Sequence, residues 1–430
     1  MPWPRALLLG SPALLLLAAA LGRLRGAQSL SPPDLAFFAQ SAWSGAETGV
    51  FTQTVLSFDD GGLLTSVHLS PGVTLLFAAI LAAGGGVGAL VASQALALIL
   101  AGAALPRIAA AGGQPAPAWL LPLGLLHPWT VALAGADLRP LCFLPAAVLW
   151  AVVGLVEKRP GVVLLAGIAA ASCREEAGLV LLALVPFAAA QGARMALTMG
   201  AASLAALALP LVVWGHLFQL GGALPFGERL AEIADGGAIF VYPEQAWFGA
   251  MALLCAAPAL RAPRLLLPAA LGFALLSIFT RMEPAAPEQD GLHYLAVVHP
   301  LLLAGLAVGA PGLRARAGGA LLGLALLLAP WAGLQTISAW GEPPAYAEAL
   351  AAVPAEAGVL CDPPLAPALS LRPALYVRGN LGEGAELERA LQRVDQALLI
   401  EAPEPGLAAA LTAAGLIEGP PIDGLRRYAR

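Results

Sequence analysis

Charge is what this chain has least of. Only 11% of its 430 residues are Asp, Glu, Lys or Arg, while 59% are hydrophobic and the mean hydropathy is +0.81. An ordinary soluble domain carries about 25% charged residues, so the composition excludes a water-soluble globule and leaves a polytopic membrane protein. A formal net charge of -5 without any basic stripe excludes a nucleic-acid partner. Cysteine is scarce and unpaired in pattern: Cys142, Cys173, Cys255 and Cys361 stand singly, without CxxC or Cys/His spacing, and read as packing residues. Gly84, Gly85, Gly86 and Gly88 lack the lysine and the preceding strand of a phosphate loop and read as a turn. The absence of an internal repeat argues against an inverted-repeat transporter, and no spacing supports a Ser/His/Asp triad.

What is present is a succession of apolar runs. The first follows MPWPR; arginine rather than a small residue precedes GAQ, which reads as an uncleaved span. The run from Pro71 is apolar for about a dozen residues where a crossing needs about 20, so 71 to 84 is expected to be a short non-crossing helix. Further runs lie at 87 to 106, 117 to 134, 139 to 156, 161 to 173, 177 to 190, 195 to 214, 244 to 260, 265 to 280, 294 to 310 and 317 to 335, giving about eleven spans. This register places Arg5, Arg107, Lys158, Arg159, Arg194, Arg261, Arg264, Arg314 and Arg316 on one side with Glu157 as their only acid. The positive-inside rule makes that side the cytoplasm, with the N-terminus inside and the C-terminus outside. The domain reading is a membrane domain over 1–340, with an outer loop at 28–70, followed by a small extracytoplasmic domain over 341–430. In the latter, AYAEALAAV, ELERALQRV and GLAAALTAAGL read as helices and GVLCD, ALYV and QALLI as strands.

The stretch from Asp34 to Pro71 is the longest polar interruption before that tail, with Asp34, Gln40, Glu47, Asp59, Asp60 and His68 but no Lys or Arg. Glu47, Asp59 and Asp60 sit among turn residues and read as a solvated loop. Asp34 and His68, set in amphipathic sequence at its two ends, are the functional candidates, because carboxylates beside hydrocarbon are costly unless they face water, a partner or a ligand. The same topology brings Asp137, Arg139, Arg174, Glu175, Glu176, His216, His293 and Tyr294 to outer span ends, an outward-facing polar cavity. Arg139, His216 and Glu228 read there as plain helix ends. Arg174, Glu175 and Glu176 differ, since the flanking spans are too short to lift three charges clear of the headgroups, and charges at a helix centre cost ~2.5–3.5 kcal/mol. The expectation is a hairpin with a sunken tip whose charges satisfy each other or a ligand. His127, mid-span before Pro128, reads as a buried histidine bonded to a carbonyl that the proline frees.

The blocks DLAFFAQSAW, GVFTQT, HLSP, ASQALAL, CREE and HYLAVVHP occur in that order, and with them the tail segment VPAEAGVLCDPPLAPALSLRPALYV. Together they resemble, over nearly the whole chain, the bacterial "domain of unknown function 2079" family of predicted multipass membrane proteins. The family pattern has KED where this chain has Arg174, Glu175 and Glu176, and FH where it has Leu138 and Arg139. Its layout is remotely similar to the GT-C glycosyltransferases, which use polyprenyl-phosphate sugars and carry an essential acid near the start of the first outer loop. The resemblance therefore implies an all-α, GT-C-like bundle in the bacterial inner membrane, with a small C-terminal α/β domain outside. It also implies membrane lipid and a polyprenyl-phosphate-linked sugar as partners, with Asp34 as the matching acid. The residues suit that chemistry: Asp34 as base, or as ligand of an activating divalent metal, His68 and Arg174 against the phosphate, and Glu175 or Glu176 orienting Arg174. Gln40, His293 and Tyr294 complete the substrate-binding candidates, around one shared site. Two other classes use the same cavity. A transporter or flippase of a lipid-linked or envelope substrate needs ionisable groups near the midplane, where His127 is the one candidate; a non-enzymatic envelope protein would use the tail as an interaction module.

Overall fold

Apolar runs interrupted by proline and glycine set the lengths of the helices. The computed structural model describes residues 3–24, 34–55, 62–63, 71–135, 138–174, 177–208, 250–270, 295–330, 346–381 and 384–430. The chain divides into two units, one of Met1–Ala20, Leu69–Val73 and Ala92–Ile337, the other of Leu21–His68, Thr74–Val91 and Ser338–Arg430. After α1 (Trp3–Arg23), α2 (Asp34–Thr48) and α3 (Pro71–Ala82) comes α4 (Val87–Ala110). Among the described residues α4 alone, at 24 residues, is long and apolar enough to cross a membrane.

In the first unit prolines open or divide several of the remaining helices. α5 (Leu120–Leu126) and α6 (Pro128–Gly135) are halves of one apolar segment. Pro128 has no N–H to offer the Gly124 carbonyl four residues back, and the Thr130 hydroxyl donates to that carbonyl instead, at 2.7 Å. Pro160 likewise opens α8 (Pro160–Ala171), which packs along α7 (Leu144–Val156). Small residues set the packing distance: a Cβ at Gly154 would lie 2.9 Å from the Val163 nitrogen, and one at Gly167 2.8 Å from Ala202 Cβ. α9 (Ala177–Ala183), α10 (Val185–Ala190) and α11 (Ala193–Ala208) follow, with Ser203 Oγ donating to the Gly178 carbonyl at 2.7 Å. Close approach of small residues and interhelical hydrogen bonds are how helices associate where lipid removes the hydrophobic drive. α12 (Leu295–Gly309) and α13 (Ala315–Leu328) complete this unit's labelled helices. At one end of it Arg107 forks onto Glu157 with two bonds of 2.8 Å, while Arg159 approaches the same carboxylate at 3.3 Å.

In the second unit α3 ends as the glycines suggest. Gly84 takes φ +86, its N–H reaches Leu81 O and the next N–H reaches Ile80 O, both at 2.9 Å. This is a Schellman cap, and the residue after the helix must be left-handed, which glycine adopts without a Cβ penalty. The twelve residues of α3 reach about 18 Å. β1 (Thr52–Gln53) and β2 (Gly62–Leu63) pair antiparallel.

The tail forms a five-stranded sheet in the order β4-β3-β5-β7-β6, built from β3 (Val359–Cys361), β4 (Leu375–Val377), β5 (Gln396–Leu399), β6 (Ile417–Glu418) and β7 (Arg426–Ala429). The first three strands are parallel and the last two antiparallel. α14 (Ala347–Ala351), α15 (Ala385–Gln392) and α16 (Pro405–Ala413) accompany them, so the stretches read from the sequence as helices and strands carry those elements. Leu360, Tyr376, Ala397, Leu399 and Tyr428 form a core with Leu391, Leu407 and Leu411. Val359, Cys361, Leu375 and Val377 are fully buried as well, as parallel strands covered on both faces are.

Candidate functional site

The polar loop before α3 is organised by α2. The helix begins at Asp34, directly after Pro32 and Pro33, and Leu35 to Ala42 are all buried. A turn at Gly49, φ +78, sends the chain back along the helix it has just left. Three contacts zip the return. Phe51 lies against Gly45 so closely that a Cβ there would collide with its ring. The hydroxyls of Ser44 and Thr52 meet at 2.8 Å. Thr54 N–H donates to Gln40 Oε1 at 2.7 Å. Because that N–H needs an acceptor, the orientation of the Gln40 amide is determined, and its Nε2 donates to Thr54 Oγ1 at 3.1 Å and to the Arg372 carbonyl at 3.2 Å. Gln40 therefore has both ends of its amide engaged with protein.

In the other unit Arg174 lies in the turn between α8 and α9, where its carbonyl accepts the Ala177 N–H. Its side chain is 5% exposed, so a guanidinium is buried between the end of α8 and the start of α9. Gln94 on α4 was quoted from the sequence only as part of a block, yet it is buried and bonds both Leu133 and Arg139. Its Nε2 donates to Leu133 O at 2.9 Å and its Oε1 accepts the Arg139 N–H at 3.0 Å.

His127 is buried, as its sequence context suggests, but its partner differs. Thr130 takes the carbonyl that Pro128 frees, and His127 Nε2 meets Ala252 O at 2.9 Å. Its Nδ1 accepts the Trp129 N–H at 3.3 Å, so the proton sits on Nε2. His299 on α12 packs beside it, ring centroids 4.9 Å apart. Its Nε2 lies 2.8 Å from Thr130 Oγ1, and since the one hydroxyl hydrogen of Thr130 goes to Gly124, His299 is the donor. Sequence reasoning passed over His299; the signal was that both histidines immediately precede a proline inside an apolar run. The pair joins α6, α12 and the helical segment at 250–255.

The carboxyl ends of the parallel strands in the tail carry a second charged cluster. Arg378 bonds Asp362 at 3.4 Å and Glu404 at 2.8 Å, and Asp362 accepts the Ile400 N–H at 2.7 Å. This end of a parallel sheet is where ligands usually bind, but here Nη1 and Nη2 of Arg378 are spent on Asp362, Glu404 and the carbonyls of Glu401 and Ala402. Burial pushes the neighbouring Cys361 thiol up, so it stays protonated. The hydrogen bond from Arg378 holds the Glu404 carboxyl below its ordinary 4.5. A depressed carboxylate stabilises the fold above its unfolded pKa and loses that contribution as pH falls through the folded value. Unfolding followed by circular dichroism should therefore show stability declining below about pH 4.5, and Glu404→Gln should shallow that decline. An identical acid limb in the variant would remove Glu404 from it.

Of the catalytic and substrate-binding candidates, Gln40 and Arg174 are described with their side chains, and they belong to different units. Asp34 is placed at the start of α2, with its side chain outside the described residues. His68, Glu175, Glu176, His293 and Tyr294 lie outside them, as do Asp59, Asp60, Asp137 and His216.

Residues 30–218 match the model of a family described as predicted membrane protein (DUF2079). No curated protein matches the chain. Among solved structures, the crystal structure of ArnT from Cupriavidus metallidurans bound to undecaprenyl phosphate aligns with a TM-score of 0.62 at 14% identity, over 99% of this chain and 97% of that one. The apo state of the same protein aligns with a TM-score of 0.55 at the same identity and coverage. At that identity the likeness is one of fold alone.

Proposed function

We propose, from the premise of a GT-C-like membrane fold, that this chain transfers a sugar from a polyprenyl-phosphate donor to an acceptor hydroxyl on the extracytoplasmic side of the bacterial inner membrane. The observation that carries the reading is the end-to-end likeness to a protein whose crystal structure holds undecaprenyl phosphate. The position of Asp34, first residue of the helix that follows α1, adds to it. In the transfer step the acceptor oxygen bonds to the anomeric carbon as the bond from that carbon to the phosphate oxygen breaks. The hydroxyl proton passes to the Asp34 carboxylate, which is general-base work, and the lipid phosphate leaves with an added negative charge. Arg174 and His68 stabilise that charge, Glu175 or Glu176 orients Arg174, and His293 and Tyr294 bind the sugar. The step is written here with Asp34 itself as the base. The version in which Asp34 holds a divalent metal is separated by chelation: loss with EDTA and recovery with Mg²⁺ or Mn²⁺ would assign it that role.

The test is a transfer assay on purified protein with a panel of polyprenyl-phosphate sugars, paired with mass spectrometry of copurifying lipids. Product formation and a copurifying polyprenyl phosphate are expected. Movement of intact lipid-linked sugar across vesicles, with no bond broken, would instead select the flippase reading. The sidedness of the reaction follows from the basic-residue bias. Reporter fusions after Arg107, Lys158, Arg194, Arg264 and Arg316 should read as cytoplasmic, and those after Asp60, Glu176, Asp290 and Ala345 as external. A cytoplasmic signal at Ala345 would refute the eleven-span topology.

A further inference from the structure

We infer that the C-terminal lobe positions α2, and through it Asp34, by a buried hydrogen-bond clamp centred on Thr54, which makes Thr54 and Gln40 positioning residues. β4 is an edge strand of the five-stranded sheet. The Ala374 carbonyl and the Arg378 N–H bond to β3, so by strand alternation the N–H and C=O of Leu375 face away from the sheet, the unpaired edge that proteins must cover. Here one hydroxyl covers it. Thr54 Oγ1 donates to Leu375 O at 2.7 Å and accepts the Leu375 N–H at 2.9 Å. With the bond it accepts from Gln40 Nε2, its one donor and two acceptor positions are filled. Two further bonds flank it: Gln40 Nε2 to Arg372 O at 3.2 Å, and Asn380 Nδ2 to Val55 O at 3.0 Å.

Each side of the clamp is rigid. The lobe segment before β4 is held by the buried Arg372 guanidinium, whose Nε donates to Leu369 O at 2.6 Å and whose Nη1 reaches Pro354 O and Ala357 O at 3.3 Å. On the other side Gln40 is six residues from Asp34 along one continuous helix, about 9 Å of axial rise, and α2 also packs on the segment Pro363–Leu369. A helix seated in this way moves as a body, so the depth of Asp34 follows the register of the clamp. Displacement of a catalytic group by about 1 Å costs roughly 10²-fold.

The inference rests on the transfer reading for its kinetic arm only. Thr54→Val keeps the shape and removes the hydroxyl; it should lower kcat about 10- to 100-fold with the donor KM nearly unchanged, and Thr54→Ser should restore it. Asn380→Ala, which removes one flanking bond, should fold normally and give a smaller loss in the same direction, so the idea stays testable where Thr54→Val folds poorly. Amide exchange by mass spectrometry is the arm independent of activity: the α2 peptide 35–44 and the β4 peptide should both exchange faster in Thr54→Val and in Asn380→Ala. Unchanged exchange in α2 overturns the clamp whatever the activity. Faster exchange with full kcat overturns the positioning role. Faster exchange alongside a wild-type protein that transfers nothing upholds the mechanical coupling and locates the failure in the transfer reading instead.

Discussion

Asp34→Asn should abolish sugar transfer while leaving the protein folded and able to bind polyprenyl phosphate. The amide has the shape of the carboxylate but cannot accept the acceptor's proton at neutral pH, and general-base assistance is worth about 10²- to 10⁴-fold. Structural damage from this change is expected to be small. Asp34 opens α2, where a carboxylate gains about 0.3–1 kcal/mol from the helix dipole, and asparagine is nearly as good as aspartate at helix starts. The control is Asp59→Asn in the same loop, which should do little. Turnover close to wild type in Asp34→Asn would remove the base assignment, whereas an unfolded Asp34→Asn protein would show the carboxylate to be structural.

Gly309→Val should be the most destabilising single change in the described helices of the first unit. Gly305 and Gly309 form a GxxxG pair on α12 against the 3-10 segment Ala257–Arg261, a pattern that allows close backbone approach. A Cβ at Gly309 would run into the Pro258 carbonyl oxygen and lie 2.7 Å from its carbon. Backbone cannot swing aside as a side chain can, so the helix must move, at a cost of about 3 kcal/mol or more. Moving α12 also strains the His299–Thr130 bond, which would leave buried polar groups unpaired. Gly305→Ala should cost much less, about 1 kcal/mol, because its Cβ would meet Ala259 Cβ at 3.0 Å. Thermal unfolding in detergent would rank the pair; equal midpoints for the two variants would contradict the backbone clash.

Composition alone determined that this is a membrane protein, since so few charges cannot solvate so large an apolar surface. Local pattern went further. Gly84, Gly85 and Gly86 announced a turn and form one, while Gly88, read with them, belongs to α4; GVLCD, ALYV and QALLI carry strands; an apolar run with His127 inside it predicted a buried ring. These features are legible because they depend on a residue's own conformational limits and on neighbours within about one helical turn. Partners are another matter. Gln40 was a substrate-binding candidate in a polar loop, and nothing near it announces Arg372, 332 residues away. Thr54 looked like any loop threonine until β4 presented Leu375 to it. His127 was expected to satisfy the carbonyl freed by Pro128, yet the Thr130 hydroxyl takes that role, leaving His127 to Ala252. A buried donor must find an acceptor, and the sequence states that demand; which acceptor meets it depends on the backbone that packing brings within about 3 Å, and that is decided only when distant segments fold together.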